Sequence, residues 1–98
     1  MNYQDLLTKD RRLVVLRLLA ADKGFSHNES ILRKLLAQWG HTISRDQVRT
    51  LISWLAEQGF VDVQDIVGYL VAKLTGRGAD IASGAATHPG VEVPGPGA

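Results

Sequence analysis

The hydrophobic pattern of this chain changes once along its length, at Gly59. Before Gly59, apolar residues recur every three or four positions, which is the spacing of one face of an α-helix. After it, Val61–Asp65 alternates apolar and polar residues, and Tyr69–Leu74 is rich in strand-forming residues. The two runs are joined by a short link that contains Gly68. The change predicts an α+β fold in which helices come first and a β-hairpin follows.

Two amphipathic helices are predicted in the first forty residues. The first spans about Tyr3 to Asp22 and is stopped by Gly24, because glycine accepts the left-handed conformation at no steric cost. The second begins at a capping box, Ser26-His27-Asn28-Glu29, in which the serine oxygen and the glutamate side chain satisfy free amides of the first turn. Gly40 ends this second helix.

A third helix over 44–58 follows after only four residues, Gly40–Ile43. It begins at a second capping box, Ser44-Arg45-Asp46-Gln47, and ends at Gly59. So short a link suits a helix-turn-helix corner, and a hairpin directly after the corner's second helix occupies the position of a wing. The sequence therefore predicts a winged helix-turn-helix with a three-helix core, a β-hairpin wing and a short C-terminal helix over about Gly76–Ser83.

Residues 1–84 are predicted to form this domain, and residues 85–98 a disordered tail. A chain of 98 residues supports one modest core, so a second domain is not expected. The tail contains all three prolines of the chain and lies beyond the last periodic segment. We therefore expect the tail to contribute nothing to the core.

Several function classes are excluded by composition and spacing. The absence of cysteine excludes disulfides, thiolate nucleophiles and thiolate zinc sites. His27, His41 and His88 lack the spacing of a metal-binding set, and no serine lies in a nucleophile elbow. Uncharged apolar runs such as Leu13–Leu16 are far shorter than the ~20 residues that span a bilayer. We expect a protein that is not an enzyme and has no cofactor, metal or membrane segment.

Charge is distributed unevenly, although the net charge is only +1. Residues 1–49 carry nine basic and five acidic side chains, a net charge of +4, whereas residues 50–98 carry two basic and five acidic side chains, a net charge of −3. An uneven field of this kind orients a domain on an anionic surface, although chance separation of charge produces the same asymmetry. The charge pattern by itself leaves a polyanion partner open.

Two segments resemble bacterial winged-helix regulators. Val48–Val61 resembles their recognition helix and its exit, where L-x-x-L-x-x-x-G-h-V recurs, and Leu74–Ala82 resembles the L-T-x-x-G-x-x-x-A segment that follows the wing. More narrowly, the chain resembles a family of small ArsR-like proteins of Mu-like phages and prophages. The segments that carry this second resemblance are Tyr3–Thr8, Asp10–Leu13, Asn28–Ser30 and Ser44–Thr50. The resemblance implies a phage- or prophage-encoded regulator that acts on double-stranded DNA in the bacterial cytoplasm, as a homodimer.

The third helix is the expected reading element, since a recognition helix enters the major groove with its N-terminal turns nearest to the bases. Arginine pairs with guanine, glutamine with adenine, and hydroxyl groups with either base or phosphate. Basic residues on the second helix position the backbone. The candidate DNA-binding residues are Ser44, Arg45, Gln47, Arg49, Thr50 and Ser53 on the third helix, and Arg33 and Lys34 on the second. We expect alanine at both Arg45 and Arg49 to abolish binding and preserve the fold.

A second function stays open, because a winged helix also serves as a protein-docking unit. Asp46 and Glu57 cancel the two arginines of the third helix, and the wing tip, 64–68, has one anion and no cation. Helix capping alone is a sufficient reason for the presence of Ser44 and Gln47, without any contact to DNA. The alternative is a protein–protein adaptor that does not bind DNA. Its partner surface would include Trp54, Ile66 and Val67.

Overall fold

In the computed structural model, which describes residues 2–96, four helices pack with a three-stranded antiparallel sheet. The α+β class predicted from the sequence is confirmed. Met1, which falls in the predicted domain, and residues 97–98, which fall in the predicted tail, lie outside the described residues. In chain order the elements are α1 (Tyr3–Ala21), β1 (Ser26–Asn28), α2 (Glu29–Gln38), α3 (Arg45–Glu57), β2 (Val61–Ile66), β3 (Tyr69–Leu74) and α4 (Gly76–Ser83).

Most helix ends follow the predicted local chemistry. Ser44 caps α3, and Thr75 caps α4 by accepting a hydrogen bond from the Gly78 amide at 3.0 Å. Gly40 and Gly59 have φ values of 87° and 78°, in the left-handed region that glycine enters without steric cost. They end α2 and α3 as predicted.

The start of α2 differs from the prediction. Ser26 belongs to β1, where it lies opposite Lys73 of β3, and Asn28 caps α2 by accepting from the Ile31 amide at 2.8 Å. The predicted capping box at Ser26 is wrong because these residues form strand hydrogen bonds with a segment more than forty positions away. Gly24 is not left-handed either; Phe25 takes that conformation, with a φ of 57°.

The sheet has the strand order β1-β3-β2, so β3 lies in its centre. Within the hairpin, Val61 is opposite Leu74 and Ile66 is opposite Tyr69. This register leaves a two-residue turn, Val67-Gly68, in which both residues have positive φ, as a type I′ turn requires. The hairpin predicted from the alternating pattern is therefore confirmed.

The core lies where α1, α2 and α3 meet the sheet. The apolar stripe expected for α1 from its spacing, Leu6, Leu7, Val14, Leu18 and Ala21, is wrong except at Val14, because the buried face of α1 consists of Leu13, Val14, Val15, Leu16 and Leu19. On α2, Leu32 and Leu36 of the expected stripe are buried, whereas Ile31 and Trp39 are exposed. Burial of the core side chains is the main favourable contribution to folding. Among the least exposed side chains are Val15, Leu16, Leu19, Leu32, Leu36, Val48, Ile52, Leu55, Phe60, Val61 and Ala72.

The segment expected to be a disordered tail packs against the domain as far as residue 92. Val91 is 3% exposed and joins the core, and the Glu92 amide donates to the Lys9 carbonyl at 3.2 Å. His88 contacts the rings of Trp54 and Phe60 edge-on. The prediction of a disordered tail was wrong here because high proline and glycine content argues only against helices and strands. An irregular segment can still be held against the domain by a few side chains, in this case Val91 and His88.

Candidate nucleic-acid interface

The N-terminal end of α3 is held by the predicted capping box. The Ser44 hydroxyl oxygen accepts a hydrogen bond from the Gln47 backbone amide at 3.1 Å, and Gln47 Oε1 accepts from the Ser44 amide at 2.9 Å. Capping thus uses the carbonyl oxygen of the Gln47 side chain and leaves its NH₂ group as a donor.

A polar row runs along the solvent side of α3. Asp46, Thr50, Ser53 and Glu57 are exposed, while the apolar residues of α3 face the core. The Thr50 hydroxyl donates to the Asp46 carbonyl at 3.1 Å, and its oxygen still accepts. The structure therefore brings the predicted contacts Thr50 and Ser53 to the surface, together with two carboxylates.

Arg45 and Arg49 lie in a cluster that we call the arginine clamp, formed with Glu29 and Gly68. Glu29 is fully buried at the start of α2, and its Oε1 accepts from Nε of Arg45 and, at 2.8 Å, from Nε of Arg49. Nη2 of each arginine donates to the Gly68 carbonyl, at 3.1 Å and 3.0 Å. Glu29 Oε2 accepts from the Leu70 amide at 2.6 Å. The clamp joins α2, α3 and the hairpin.

Hydrogen bonding keeps Glu29 ionised despite its burial. The bond from Arg49, with further contributions from Arg45 and the Leu70 amide, outweighs desolvation and lowers the pKa of Glu29 from 4.5 to about 2. The same carboxylate raises the pKa of Arg49 from its ordinary value. Side chains of Arg45 and Arg49 remain 51% and 38% exposed. Within residues 2–96, no hydrogen-bond partner of either Nη1 is found.

The hairpin side of α3 carries no excess of positive charge. Asp46 and Asp65 both lie near enough to Arg49 to raise its pKa. Asp65 Oδ1 also accepts from the Gly68 amide at 2.9 Å and so stabilises the turn. With Glu29, three carboxylates surround the two guanidinium groups. A phosphate on this side would meet repulsion as well as attraction.

A second group of cations, which we call the cationic edge, consists of Arg11 and Arg12 of α1 and Arg33 and Lys34 of α2. Arg33 and Lys34 are exposed and line a crevice of about 220 Å³ beside Ile43. Ile43 directly precedes the Ser44 cap. The cationic edge therefore lies on both sides of the residue that leads into α3.

A second crevice, of about 180 Å³, lies between α1 and α3 and also borders Ile43. Its polar lining consists of Thr8, Arg11, Arg12, Gln47 and Thr50, and Leu51 contributes to the apolar part. Among the described residues, no acidic side chain lines either crevice. We call this second space the α1–α3 crevice.

Arg12 is held rigidly beside this crevice. Its guanidinium carbon lies 3.7 Å from the ring centroid of Trp54, and Nη1 donates to the Gly90 carbonyl at 3.0 Å. Nε is buried and has no hydrogen-bond partner among residues 2–96, and desolvation lowers the pKa of Arg12. Arg11 is also oriented, because its Nε donates to Nδ1 of His41 at 3.2 Å.

The predicted protein-binding surface is divided by the structure. Ile66 and Val67 are exposed at the hairpin tip, and Val67 is 93% exposed. Trp54 is instead enclosed by Arg12 and by the C-terminal segment, where a Cβ on Gly90 would lie 2.7 Å from the indole. The tip and Trp54 therefore do not form one surface.

Sequence reasoning missed Glu29, Arg11 and Arg12 as members of the site. A glutamate at a helix start has a sufficient explanation as a capping residue, which concealed its role as the buried partner of two arginines. Arg11 and Arg12 precede the most apolar stretch of α1 and were not among the candidate DNA-binding residues. The adjacent pair of cations was the available signal.

Across residues 2–96, no three histidine, aspartate or glutamate side chains are grouped to hold a metal ion. No helix in the same range is both long and apolar enough to cross a membrane.

Comparison with known proteins places the chain among phage proteins. It is 51% identical over 92 residues to gp26 of Escherichia phage Mu, described as an uncharacterized protein, covering 94% of this chain and 95% of that protein. It is 49% identical over 78 residues to an uncharacterized protein of Haemophilus influenzae (strain ATCC 51907 / DSM 11121 / KW20 / Rd), covering 79% and 76%. The chain belongs to the Mu gp26 family.

Membership in the Mu gp26 family confirms the resemblance to Mu-like phage proteins noted in the sequence. No family model and no solved structure matches the chain. The candidate interface of this Mu gp26 family member is thus defined by its own geometry, that of the arginine clamp and of the cationic edge.

Proposed function

We propose that this member of the Mu gp26 family is a winged helix-turn-helix protein that binds duplex DNA. The short turn between α2 and α3, the hairpin directly after α3 and the strand order β1-β3-β2 support the fold assignment. In such a domain the second helix of the turn reads the major groove and the wing lies against the neighbouring backbone. The proposed reading helix is therefore α3.

The observation that carries the proposal is the cationic edge. Phosphate contacts supply most of the affinity for DNA and set the register of the reading helix. Arg33 and Lys34 on one side of Ile43, and Arg11 on the other, supply such contacts without a carboxylate in either crevice. A duplex seated on this edge lies next to the N-terminal turn of α3.

The proposed base contacts come from the polar row beside this edge. Thr50, Ser53 and the NH₂ group of Gln47 have donors or acceptors that capping does not use. Direct guanine contacts from Arg45 and Arg49 stay a prediction. Each guanidinium has five N–H groups and uses that of Nε and one of Nη2 in the arginine clamp, so the two N–H groups of Nη1 and the second of Nη2 remain for the contact.

Fluorescence anisotropy with a labelled mixed-sequence duplex tests the proposal. The measurement is the association constant between ~50 and ~200 mM salt, where log K falls by about 0.9 per neutralised phosphate for each decade of salt. The Arg33→Ala/Lys34→Ala variant should bind the duplex more weakly. Its plot of log K against log salt should be less steep, by the amount expected for the loss of about two phosphate contacts.

A matched control removes two exposed cations elsewhere, Lys23 and Lys73. The Lys23→Ala/Lys73→Ala variant has the same net charge as the test variant and should retain the wild-type slope. Equal losses in the two variants would mean that net charge alone drives binding. No binding by the wild type at ~50 mM salt would overturn the proposal.

An adaptor role is the second candidate, and the exposed apolar hairpin tip favours it. Val67 and its neighbour Ile66 present apolar surface at a turn that is otherwise held rigidly by Asp65 and Gly68. A rigid apolar projection is typical of a protein contact. This function would depend on Val67 and be insensitive to the cationic edge.

We further propose that the protein acts as a homodimer in the bacterial cytoplasm, in a regulatory role. An apolar cavity of about 160 Å³ between α1 and the end of α2 supports self-association, because Trp39 at its rim is 58% exposed. Two copies would also double the phosphate contacts on one duplex. Sedimentation velocity tests this: a single species of monomer mass at all concentrations contradicts it.

A further inference from the structure

We propose that the α1–α3 crevice binds a phosphate group. The crevice has two guanidinium side chains, Arg11 and Arg12, the hydroxyl groups of Thr8 and Thr50, and the amide of Gln47 on its lining. Its net side-chain charge is therefore +2, because no carboxylate among the described residues lines it. Residues with donor groups on both α1 and α3 line this one crevice.

Arg12 keeps one donor group for such a ligand. Within residues 2–96, Nη1 donates to the Gly90 carbonyl, Nε is buried, and no hydrogen-bond partner of Nη2 is found. A guanidinium pairs with an oxyanion through the N–H groups that its own protein leaves unused. Nη2 is therefore the group of Arg12 that would donate to a phosphate oxygen in the crevice.

Both arginines are oriented before any ligand arrives. Stacking on Trp54 holds the Arg12 guanidinium, and the hydrogen bond to His41 Nδ1 holds Nε of Arg11. Because Nδ1 accepts, Nε2 of His41 donates to Asp10 at 2.7 Å, so the Asp10 carboxylate has its own partner. Preorganised side chains lose little conformational entropy on binding, which favours a specific site over a diffuse cationic patch.

Phosphate fits this donor set better than a carboxylate does. Guanidinium groups pair with phosphate oxygens through parallel N–H donors, and a tetrahedral oxyanion accepts from several directions at once. The crevice offers donors from two facing helices, whereas a planar carboxylate would engage one side. The phosphate is either a free ion or a group of the DNA backbone, and the second source rests on the proposed function.

Gln47→Glu is the decisive variant. Glutamate is as good as glutamine at this position of a capping box, so the fold and the α3 start should be preserved. The change introduces a negative charge into the lining of the crevice. Gln64→Glu is the matched control, because it makes the same charge change at an exposed position of β2, away from the crevice.

Two measurements on the wild type, Gln47→Glu and Gln64→Glu distinguish a free phosphate ion from a phosphate group of the DNA backbone. The first is an NMR titration in which potassium phosphate replaces potassium chloride at constant ionic strength, read at the backbone amides of α1 and α3 and at the arginine Nε resonances. The second is duplex binding by fluorescence anisotropy. Equal melting temperatures of the variants establish that both are folded.

We expect saturable shifts at Thr8, Arg12 and Thr50 in the wild type and in Gln64→Glu, and an affinity about tenfold lower in Gln47→Glu. Saturation by phosphate without duplex binding supports the site with a free ion as its ligand and contradicts the proposed function alone. Duplex binding by the wild type, with no saturable phosphate shift in the wild type, overturns the site and leaves the proposed function standing.

Discussion

The arginine clamp and the cationic edge have the same kinds of side chain and use them differently. In the clamp, Arg45 and Arg49 are bound to the buried carboxylate of Glu29 and to the Gly68 carbonyl. In the cationic edge, Arg33 and Lys34 are exposed and line a crevice that has no carboxylate among residues 2–96. The difference lies in the partners of each cation.

Proximity to the reading helix is therefore a poor guide to the role of an arginine. Arg45 and Arg49 belong to α3 itself, yet their hydrogen bonds join α2, α3 and the hairpin into one unit. The cations available to an outside anion come from the neighbouring helices. A buried carboxylate turns a surface arginine into a structural one, because removing its partners leaves an uncompensated buried charge.

The largest expected effect is that of Arg45→Ala/Arg49→Ala on stability. This double change leaves the buried Glu29 with only the Leu70 amide as a partner. We expect the free energy of unfolding, measured by urea denaturation, to fall by about 3 kcal/mol, at the low end for a broken buried ion pair because both guanidinium groups are part exposed. This replaces the sequence-based expectation of an intact fold.

Arg33→Ala/Lys34→Ala is the matched control for this prediction. It removes the same charge from exposed positions of α2, and the free energy of unfolding should change by no more than about 0.5 kcal/mol. Equal destabilisation by the two double variants would mean that the arginine clamp contributes no more to stability than the cationic edge does.

A second, smaller effect concerns pH. The pKa of Glu29 is lowered from 4.5 to about 2, so ionised Glu29 contributes stability that is present above pH 4.5 and is lost as the pH falls toward 2. Part of the acid sensitivity of the free energy of unfolding should therefore disappear in Glu29→Gln. Urea denaturation at pH values between 2 and 6 measures this.

Glu57→Gln is the control, since Glu57 is exposed on the polar row of α3. It should follow the wild-type pH profile. If Glu29→Gln retains the full wild-type slope between pH 4.5 and 2, the arginine clamp does not hold the carboxylate ionised.

The smallest effect is expected at the hairpin tip, from Val67→Asn. Val67 has a φ of 53°, which is unfavourable for a β-branched residue and is tolerated by asparagine. The free energy of unfolding should rise by about 1 kcal/mol. Unchanged duplex binding in this variant would confine the DNA interface to the cationic edge. Weaker duplex binding would mean that the hairpin tip also contacts DNA, so that the cationic edge is not the whole interface.

Local sequence signals predicted most helices and the hairpin correctly, but they did not predict which distant residues these elements contact. The capping box at Ser44 and the hairpin over 61–74 depend on residues close together in the chain, and both are confirmed. The capping box at Ser26 was wrong because strand pairing with β3 competes with capping there. Of the candidate contacts, Thr50, Ser53, Arg33 and Lys34 are exposed as expected, while Arg45 and Arg49 have an internal partner.

The amino-acid sequence by itself determined the α+β class, the presence of the three amphipathic helices α1 to α3, and the turn at Gly68. Periodicity, helix caps and positions of positive φ depend on residues that are close together in the chain. Only the tertiary structure decided that Glu29 is buried between two arginines, that Arg11 and Arg12 line one crevice with Gln47 and Thr50, and that Val91 joins the core. Each of these depends on side chains brought together across long stretches of chain, where burial and charge pairing act on distance in space and leave no pattern along the sequence.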